Sequence, residues 1–292
     1  RSTLDRSSAA SDVYKRQLLH AQGFPQSRIV TDTIYSEVLQ AKRAYTVFLP
    51  LSFDMDTQKQ YPVLYLLHGM WENNSVWANR GHVKDVMDRL TASGEACEMI
   101  IVTPDAGGGN PEVFQNGYFD MPGWKYETFF YTEFLPFIEK KYRVIGDKQH
   151  RAIAGLSMGG GGATVYGQHH TDMFCAVYAM SALMSIPEQG AARYDNPDGK
   201  LAILTRSVIE NSSVDYVLKA DESRKANLRS VAWYVDCGDD DFLLDRNIEF
   251  YQAMRNAGIP CQFRVRDGGH DWEYWHSALY QCLPFVSRMF LR

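Results

Sequence analysis

Residues 63 to 67, Val-Leu-Tyr-Leu-Leu, and residues 98 to 103, Glu-Met-Ile-Ile-Val-Thr, are near-continuous apolar runs flanked by Pro or Gly. That is the pattern of strands covered on both faces. Residues 43 to 49 alternate in polarity and stop at Pro50, as a half-buried strand does. Between these runs, residues 83 to 90 carry apolar side chains at helical spacing, and residues 126 to 142 repeat the pattern before a further strand at 151 to 154. More strands are predicted at 176 to 180, 230 to 235 and 262 to 265, with a helix at 247 to 256 between the last two. Strand and helix alternating in this way imply an α/β fold, a mostly parallel central sheet with helices on both faces. Residues 182 to 227 break the rhythm with Pro, Gly, Asn and Asp clusters around short helical pieces. They read as an insertion over one end of the sheet, after the sixth strand, in a single domain spanning residues 29 to 292.

The amino terminus is set apart from this pattern. Asp12-Val-Tyr-Lys-Arg-Gln17 matches the translation of a transposon adapter used in sequencing libraries, so residues 1 to 17 read as an assembly artefact and are excluded from the fold. Residues 18 to 28 form a short segment whose Leu18-Leu-His-Ala-Gln22 resembles the tail of a signal peptide. Export is the favoured reading over the cytoplasm, and the compartment stays open.

Composition narrows the classes of function. The chain has 292 residues, 45% of them hydrophobic, and a formal net charge of −5 with the charges scattered. Such a chain has a sizeable core and no basic stripe for nucleic acid or an anionic membrane. Its five cysteines, Cys97, Cys175, Cys237, Cys261 and Cys282, show no C-x-x-C pairing, so buried inert thiols are expected rather than a metal or redox site.

Chemistry enters at Gly155-Leu-Ser-Met-Gly159. This is a G-x-S-x-G pentapeptide placed after a predicted strand and before a predicted helix, the context of a nucleophile elbow. Side chains at Gly155 or Gly159 would block the close approach of strand and helix, while Ser157 stands exposed on the turn between them. A glycine-rich turn with an incidental serine explains the pentapeptide alone equally well, so its partners decide. Serine needs a base, and the base needs an acid to hold its tautomer, in the chain order Ser, Asp or Glu, His. Residues 239 to 241 place three aspartates just after a strand, and His270 lies in a glycine loop after the last strand. Asp239, Asp240 and Asp241 compete for the role of acid; Asp241 is preferred because Phe242 and Leu243 can anchor its loop. His276 is the reserve base, and His169 and His170 read as solvated residues near a helix end. Leu67-His-Gly-Met70 follows a buried strand, where Met70 can offer a backbone N–H to an oxyanion, with Met158 supplying the second.

Taken together, His68-Gly-Met70, Gly155-Leu-Ser-Met-Gly-Gly160, Gly238-Asp-Asp-Asp-Phe-Leu243 and Gly268-Gly-His-Asp-Trp272 resemble the esterase D-like superfamily of α/β hydrolases. That superfamily includes feruloyl and acetyl esterases of carbohydrate esterase family one, S-formylglutathione hydrolases and mycolyltransferases. The resemblance implies a Ser157, Asp241, His270 triad with the Met70 and Met158 amides at the oxyanion hole, and needs no cofactor or metal. Leu156 and the glycine run after Met158 are closer to the feruloyl esterase branch than to formylglutathione hydrolases, which have histidines at two of these positions. The expected activity is serine ester hydrolysis of hydroxycinnamoyl or acetyl esters of plant polysaccharide. The expected partner is a small-molecule or oligosaccharide ester, with a homodimer left open. Trp71, Tyr118, Phe119, Trp124 and Trp272 are expected on loops at the catalytic face; Trp71, Trp124 and Trp272 are the candidates to touch substrate. The rival readings are an acyltransferase on the same triad and a non-catalytic carbohydrate-binding protein on a hydrolase fold.

Overall fold

The computed structural model describes residues 26–107 and 109–292. The adapter-like residues 1 to 17, and most of the segment after them, lie outside the described residues. Eight strands form the main sheet: β1 (Arg28–Ser36), β2 (Ala41–Leu49), β3 (Val63–Leu67), β4 (Ile100–Pro104), β5 (Arg151–Leu156), β6 (Ala176–Met180), β7 (Ala232–Gly238) and β8 (Cys261–Arg266). Their spatial order is β1-β2-β4-β3-β5-β6-β7-β8. The first two pairings, β1 with β2 and β2 with β4, are antiparallel, and every later one is parallel. This is the doubly covered, mostly parallel sheet the apolar runs predict. β1 is an addition to that expectation, and it starts at Arg28, inside the segment set apart from the domain.

Alternate residues of each central strand enter separate cores. Val63, Tyr65 and Leu67 pack on one face with Phe129, Phe130, Phe134 and Tyr166, while Leu64 and Leu66 pack on the other with Met87, Leu90, Leu279 and Phe285. The period of two along a strand requires this split once both faces are covered by helices. The second face is closed by the helix Trp272–Phe290, which holds Pro284 in its interior.

The helix Met158–His169 is the element that carries the site. It contains four consecutive glycines after Met158, each worth about 1 kcal/mol against helix formation relative to alanine. Packing overrides that propensity, since residues Met158 to Gln168 are all buried. The glycines let the helix lie flush on its surroundings: a Cβ at Gly160 would stand 2.8 Å from that of Ala182, one at Gly161 would stand 2.2 Å from the Leu183 carbonyl oxygen, and one at Gly162 would stand 2.9 Å from the Tyr118 ring.

The connection from β6 to β7, which covers residues 182 to 227, holds the helices Lys200–Glu210, Ser213–Leu218 and Glu222–Arg229. Each of the last two starts with a capping side chain, Ser212 accepting from the Asp215 N–H and Asp221 from the Arg224 N–H, as the N-cap preference for Ser and Asp requires. Below the catalytic face, Asp236 is fully buried in β7 and accepts from the hydroxyls of Tyr178 and Tyr274, each at 2.5 Å. Arg264 on β8 donates to the same carboxylate at 2.5 Å, so the start of the last helix is tied through Asp236 to three strands. A buried carboxylate is tolerated only with such partners. All five cysteines are unpaired, and burial pushes the thiols of Cys175 and Cys261 up to about 12, which keeps them un-ionised and poor nucleophiles. Among the described residues, no helix is long and apolar enough to cross a membrane.

Candidate active site

Ser157 occupies the turn between β5 and the helix Met158–His169 with φ 53° and ψ −119°, a region that costs an L-residue of order 1–3 kcal/mol and is held only by its surroundings. Those surroundings are visible. The Ser157 N–H donates to the Met180 carbonyl at 2.9 Å, and its own carbonyl accepts from the Gly161 and Leu183 N–H groups at 3.0 and 2.9 Å. A Cβ on Gly155 would lie 2.3 Å from the Gly159 carbonyl oxygen, and one on Gly159 would lie 2.5 Å from that of His68. The turn is therefore closed to any other residue at both positions, and its serine is left half-buried among buried neighbours.

The loops after β7 and β8 bring the other two groups to it. They meet where Gly238 approaches Gly268 so closely that a Cβ on Gly238 would stand 2.0 Å from the Gly268 carbonyl oxygen. His270 Nε2 lies 2.9 Å from Ser157 Oγ, and His270 Nδ1 lies 2.9 and 3.1 Å from the two carboxylate oxygens of Asp241. Burial pushes the Asp241 carboxyl up, yet hydrogen bonds from His270, from Ser181 and from the Leu243 N–H together outweigh it and hold the group below the ordinary range. An ionised carboxylate only accepts, so Nδ1 carries the proton and Nε2 presents its lone pair to the serine hydroxyl. That is the tautomer a general base requires.

The structure also separates the rivals for each place. Asp239 and Asp240 are exposed, Asp239 accepting from the Gly268 N–H instead of reaching the imidazole. His276 is bonded through Nδ1 to the Gly81 carbonyl at 2.8 Å. His169 Nδ1 lies 3.0 Å from Glu127, so that pair is engaged at the helix end rather than simply solvated.

The loop after β3 is fixed one peptide at a time. The His68 carbonyl accepts from the Tyr118 hydroxyl at 2.9 Å and the Gly69 N–H donates to Glu72 Oε2 at 3.1 Å, which locks the peptide between them. His68 itself is fully buried, and its Nε2 accepts from the Ala106 N–H at 2.9 Å. Its Nδ1 must then carry the proton, donated to the Gly69 carbonyl at 2.8 Å. Burial lowers the His68 pKa and keeps the ring neutral. Because the Gly69 carbonyl and the Met70 N–H point in opposite directions from one trans peptide, holding the carbonyl on His68 turns the Met70 N–H the other way. Met158 is the first residue of its helix, where an N–H has no intrahelical acceptor. Among the described residues, neither the Met70 nor the Met158 N–H meets a protein acceptor.

Glu72 gave no signal in the sequence beyond its place three residues after Gly69. Its second oxygen accepts from Trp272 Nε1 at 2.6 Å, so one carboxylate ties the loop of Met70 to the residue two beyond His270. Burial pushes the Glu72 carboxyl above its ordinary range despite those two donors. Glu72→Gln has a single acceptor oxygen and leaves one of the two N–H groups facing an amide NH₂. We expect kcat to fall about 10-fold with KM little changed, as for a misplaced oxyanion donor. Steady-state kinetics on a soluble ester check this, and an unchanged kcat would show that the loop holds its shape without the carboxylate.

The aromatic residues expected at the face divide sharply. Trp71 is 59% exposed, with φ 71°. The expectation for Trp124 and Trp272 is corrected. Trp124 is 7% exposed, donates to the Gly117 carbonyl at 2.9 Å and stacks on Tyr126. Trp272 is 8% exposed, bonded to Glu72 and packed edge-on against Trp77 and Trp275. Tyr118 and Phe119 are buried as well. Phe242, which drew notice in the sequence only as an anchor for Asp241, is instead 75% exposed and lies against His270.

Residues 36–286 match the esterase family model, described as "Putative esterase". A solved structure of a ferulic acid esterase is 81% identical, with a TM-score of 0.89, covering 91% of this chain and 99% of its own. The acetyl esterase of Caldicellulosiruptor saccharolyticus is 22% identical, over 89% of this chain and 98% of that protein. The endo-1,4-beta-xylanase/feruloyl esterase of Xylanibacter ruminicola is 29% identical over 85% of this chain, which spans 30% of that longer protein.

Proposed function

The chain belongs to the esterase family, and on that premise we propose that it is a serine carboxylic ester hydrolase that cleaves feruloyl esters of plant polysaccharide through an acyl-enzyme. The observation that carries the chemistry is the unbroken line of hydrogen bonds from Asp241 through His270 to Ser157. The acyl preference is supported by the 81% identical ferulic acid esterase.

In this reading His270 Nε2 takes the Ser157 proton as Oγ attacks the ester carbonyl. The tetrahedral oxyanion lies against the Met70 and Met158 amides, which are preorganised by the packing described above and need no reorganisation during the reaction. His270 then delivers the proton to the departing alcohol oxygen as the carbon–oxygen bond breaks. Water attacks the acyl-enzyme by the same path in reverse, releasing the acid and restoring the serine hydroxyl. Asp241 holds the imidazole in its tautomer and stabilises its charged form throughout. Trp71, exposed beside Met70, is the aromatic residue we assign to the substrate surface.

Methyl ferulate and p-nitrophenyl acetate, compared in one hydrolysis assay with wild type and Ser157→Ala, test the assignment. The expected result is serine-dependent cleavage of methyl ferulate. Serine-dependent cleavage of the acetate alone would transfer the enzyme to small acyl groups, as the acetyl esterase relative suggests. Formation of a new ester with an added acceptor alcohol in preference to free acid would instead favour acyl transfer.

A further inference from the structure

Phe242 is the most exposed large hydrophobic side chain among the described residues, at 75%. Its ring centroid is 4.5 Å from that of His270, with the planes tilted by 49°. The edge-on ring of Trp275, centroid at 4.9 Å, also packs against the imidazole but is buried. The two imidazole nitrogens are already engaged, Nδ1 by Asp241 and Nε2 by Ser157, so Phe242 adds nothing to the orientation of the base that these bonds do not supply. Exposure alone would mean little for a single side chain; what singles out Phe242 is that its exposed ring lies against the His270 imidazole.

The reaction says which part of the ligand. The proton taken from Ser157 is delivered from His270 Nε2 to the departing oxygen, which must come within hydrogen-bond reach of it, about 3 Å. Whatever is attached to that oxygen therefore lies beside the imidazole, and the exposed ring packed on the imidazole is within contact distance of it. The acyl group, held by its carbonyl at the Met70 and Met158 amides, is not required to approach this position. The surroundings of Phe242 select among alcohols. The turn that carries it also carries the exposed Asp239 and Asp240, whose carboxylates converge with that of Asp267 to within 4.8 Å of one another. An apolar ring on the same turn as exposed carboxylates disfavours an anionic alcohol and suits a neutral, polyhydroxylated ring, with its C–H face on the aromatic π cloud and its hydroxyls toward acceptors.

From this we infer that Phe242 is the floor of an alcohol-side subsite, a platform for the glycosyl ring whose ester oxygen His270 protonates. The inference rests on the serine esterase reading and extends it from the acyl group to the sugar. Binding of a remote, non-reacting part of the substrate raises turnover when it helps to hold the ester at the nucleophile, so the platform is read as selectivity between alcohols.

The test is the ratio of kcat/KM on a feruloylated pentose oligosaccharide to kcat/KM on methyl ferulate, measured for wild type, Phe242→Ala and Phe242→Tyr. The two substrates share their acyl group, so any general change in the enzyme cancels. We expect Phe242→Ala to lower the ratio about 3- to 10-fold, the range of one aromatic contact, and Phe242→Tyr to keep it within about 2-fold of wild type. An unchanged ratio in Phe242→Ala would overturn the subsite, whether both rates fall together or neither moves. If wild type cleaves acetyl esters and not ferulate, the acyl assignment fails by itself. The same ratio is then read on an acetylated pentose oligosaccharide against ethyl acetate, and it must fall in Phe242→Ala for the subsite to stand.

Discussion

Replacing Ser157 with alanine is expected to lower kcat by a factor on the order of 10⁵ to 10⁶, leaving only the residual catalysis of binding and oxyanion stabilisation. The fold should be indifferent to the change. The Ser157 hydroxyl makes no capping bond to its helix; its N–H and carbonyl, which do hold the turn, are retained by alanine, and the left-handed φ is one that serine already tolerates. Circular dichroism and thermal unfolding of the variant should overlay those of wild type while single-turnover hydrolysis disappears. A variant that kept even a tenth of wild-type turnover would mean that another group is the nucleophile.

Asp241→Asn is expected to cost about 10⁴ in kcat by a different route. The asparagine carbonyl can still accept from the Leu243 N–H, so the loop keeps its 2.8 Å bond. Its amide NH₂ can then face His270 Nδ1 as a donor, which favours the imidazole with its proton on Nε2, the wrong nitrogen for accepting one from serine. Asp240→Asn is the control, because that side chain is exposed and should leave the rate near wild type. The reverse outcome, a large loss in Asp240→Asn and little in Asp241→Asn, would sink the assignment of the acid. The depressed Asp241 carboxyl also has a sign in stability. Its contribution is complete above the unfolded value near 3.9, and it is lost as the pH falls through the lower folded value.

How far the sequence leads depends on what kind of signal each residue leaves. The central strands are legible because burial on both faces demands unbroken apolar runs, and β3 and β6 span the predicted residues 63 to 67 and 176 to 180. β1 leaves a weaker trace: Thr31, Asp32 and Thr33 interrupt its apolar positions because it is an edge strand with exposed residues along its length. The long last helix is obscured by its aromatic start and by Pro284. The three groups joined by hydrogen bonds at the catalytic face are recoverable, since chain order, glycine spacing and strand ends all constrain them. Depth is not recoverable in the same way. Trp71 and Trp124 read alike in sequence, yet one is 59% exposed and the other 7%, because exposure is decided by elements far away in the chain. Glu72 and Phe242 stayed hidden for the same reason: their partners Trp272 and His270 are 200 and 28 residues away, and a single Glu or Phe in a loop has no periodicity to betray it.

The flush packing of the helix Met158–His169 bears on how new specificities can arise on this scaffold. Where a side chain at Gly160, Gly161 or Gly162 would collide with Ala182, Leu183 or Tyr118, random change on that side of Ser157 disrupts the packing rather than retuning the site. The exposed loop side chains are more permissive: Trp71 and Phe242 face solvent, so their replacement is free of the cavity penalty that governs the core. Diversification toward other acids and alcohols is thus channelled into two loops, one beside the amides we assign to the oxyanion and one beside the base we propose. The two ends of the ester can in this way be adapted independently while the machinery between them is kept.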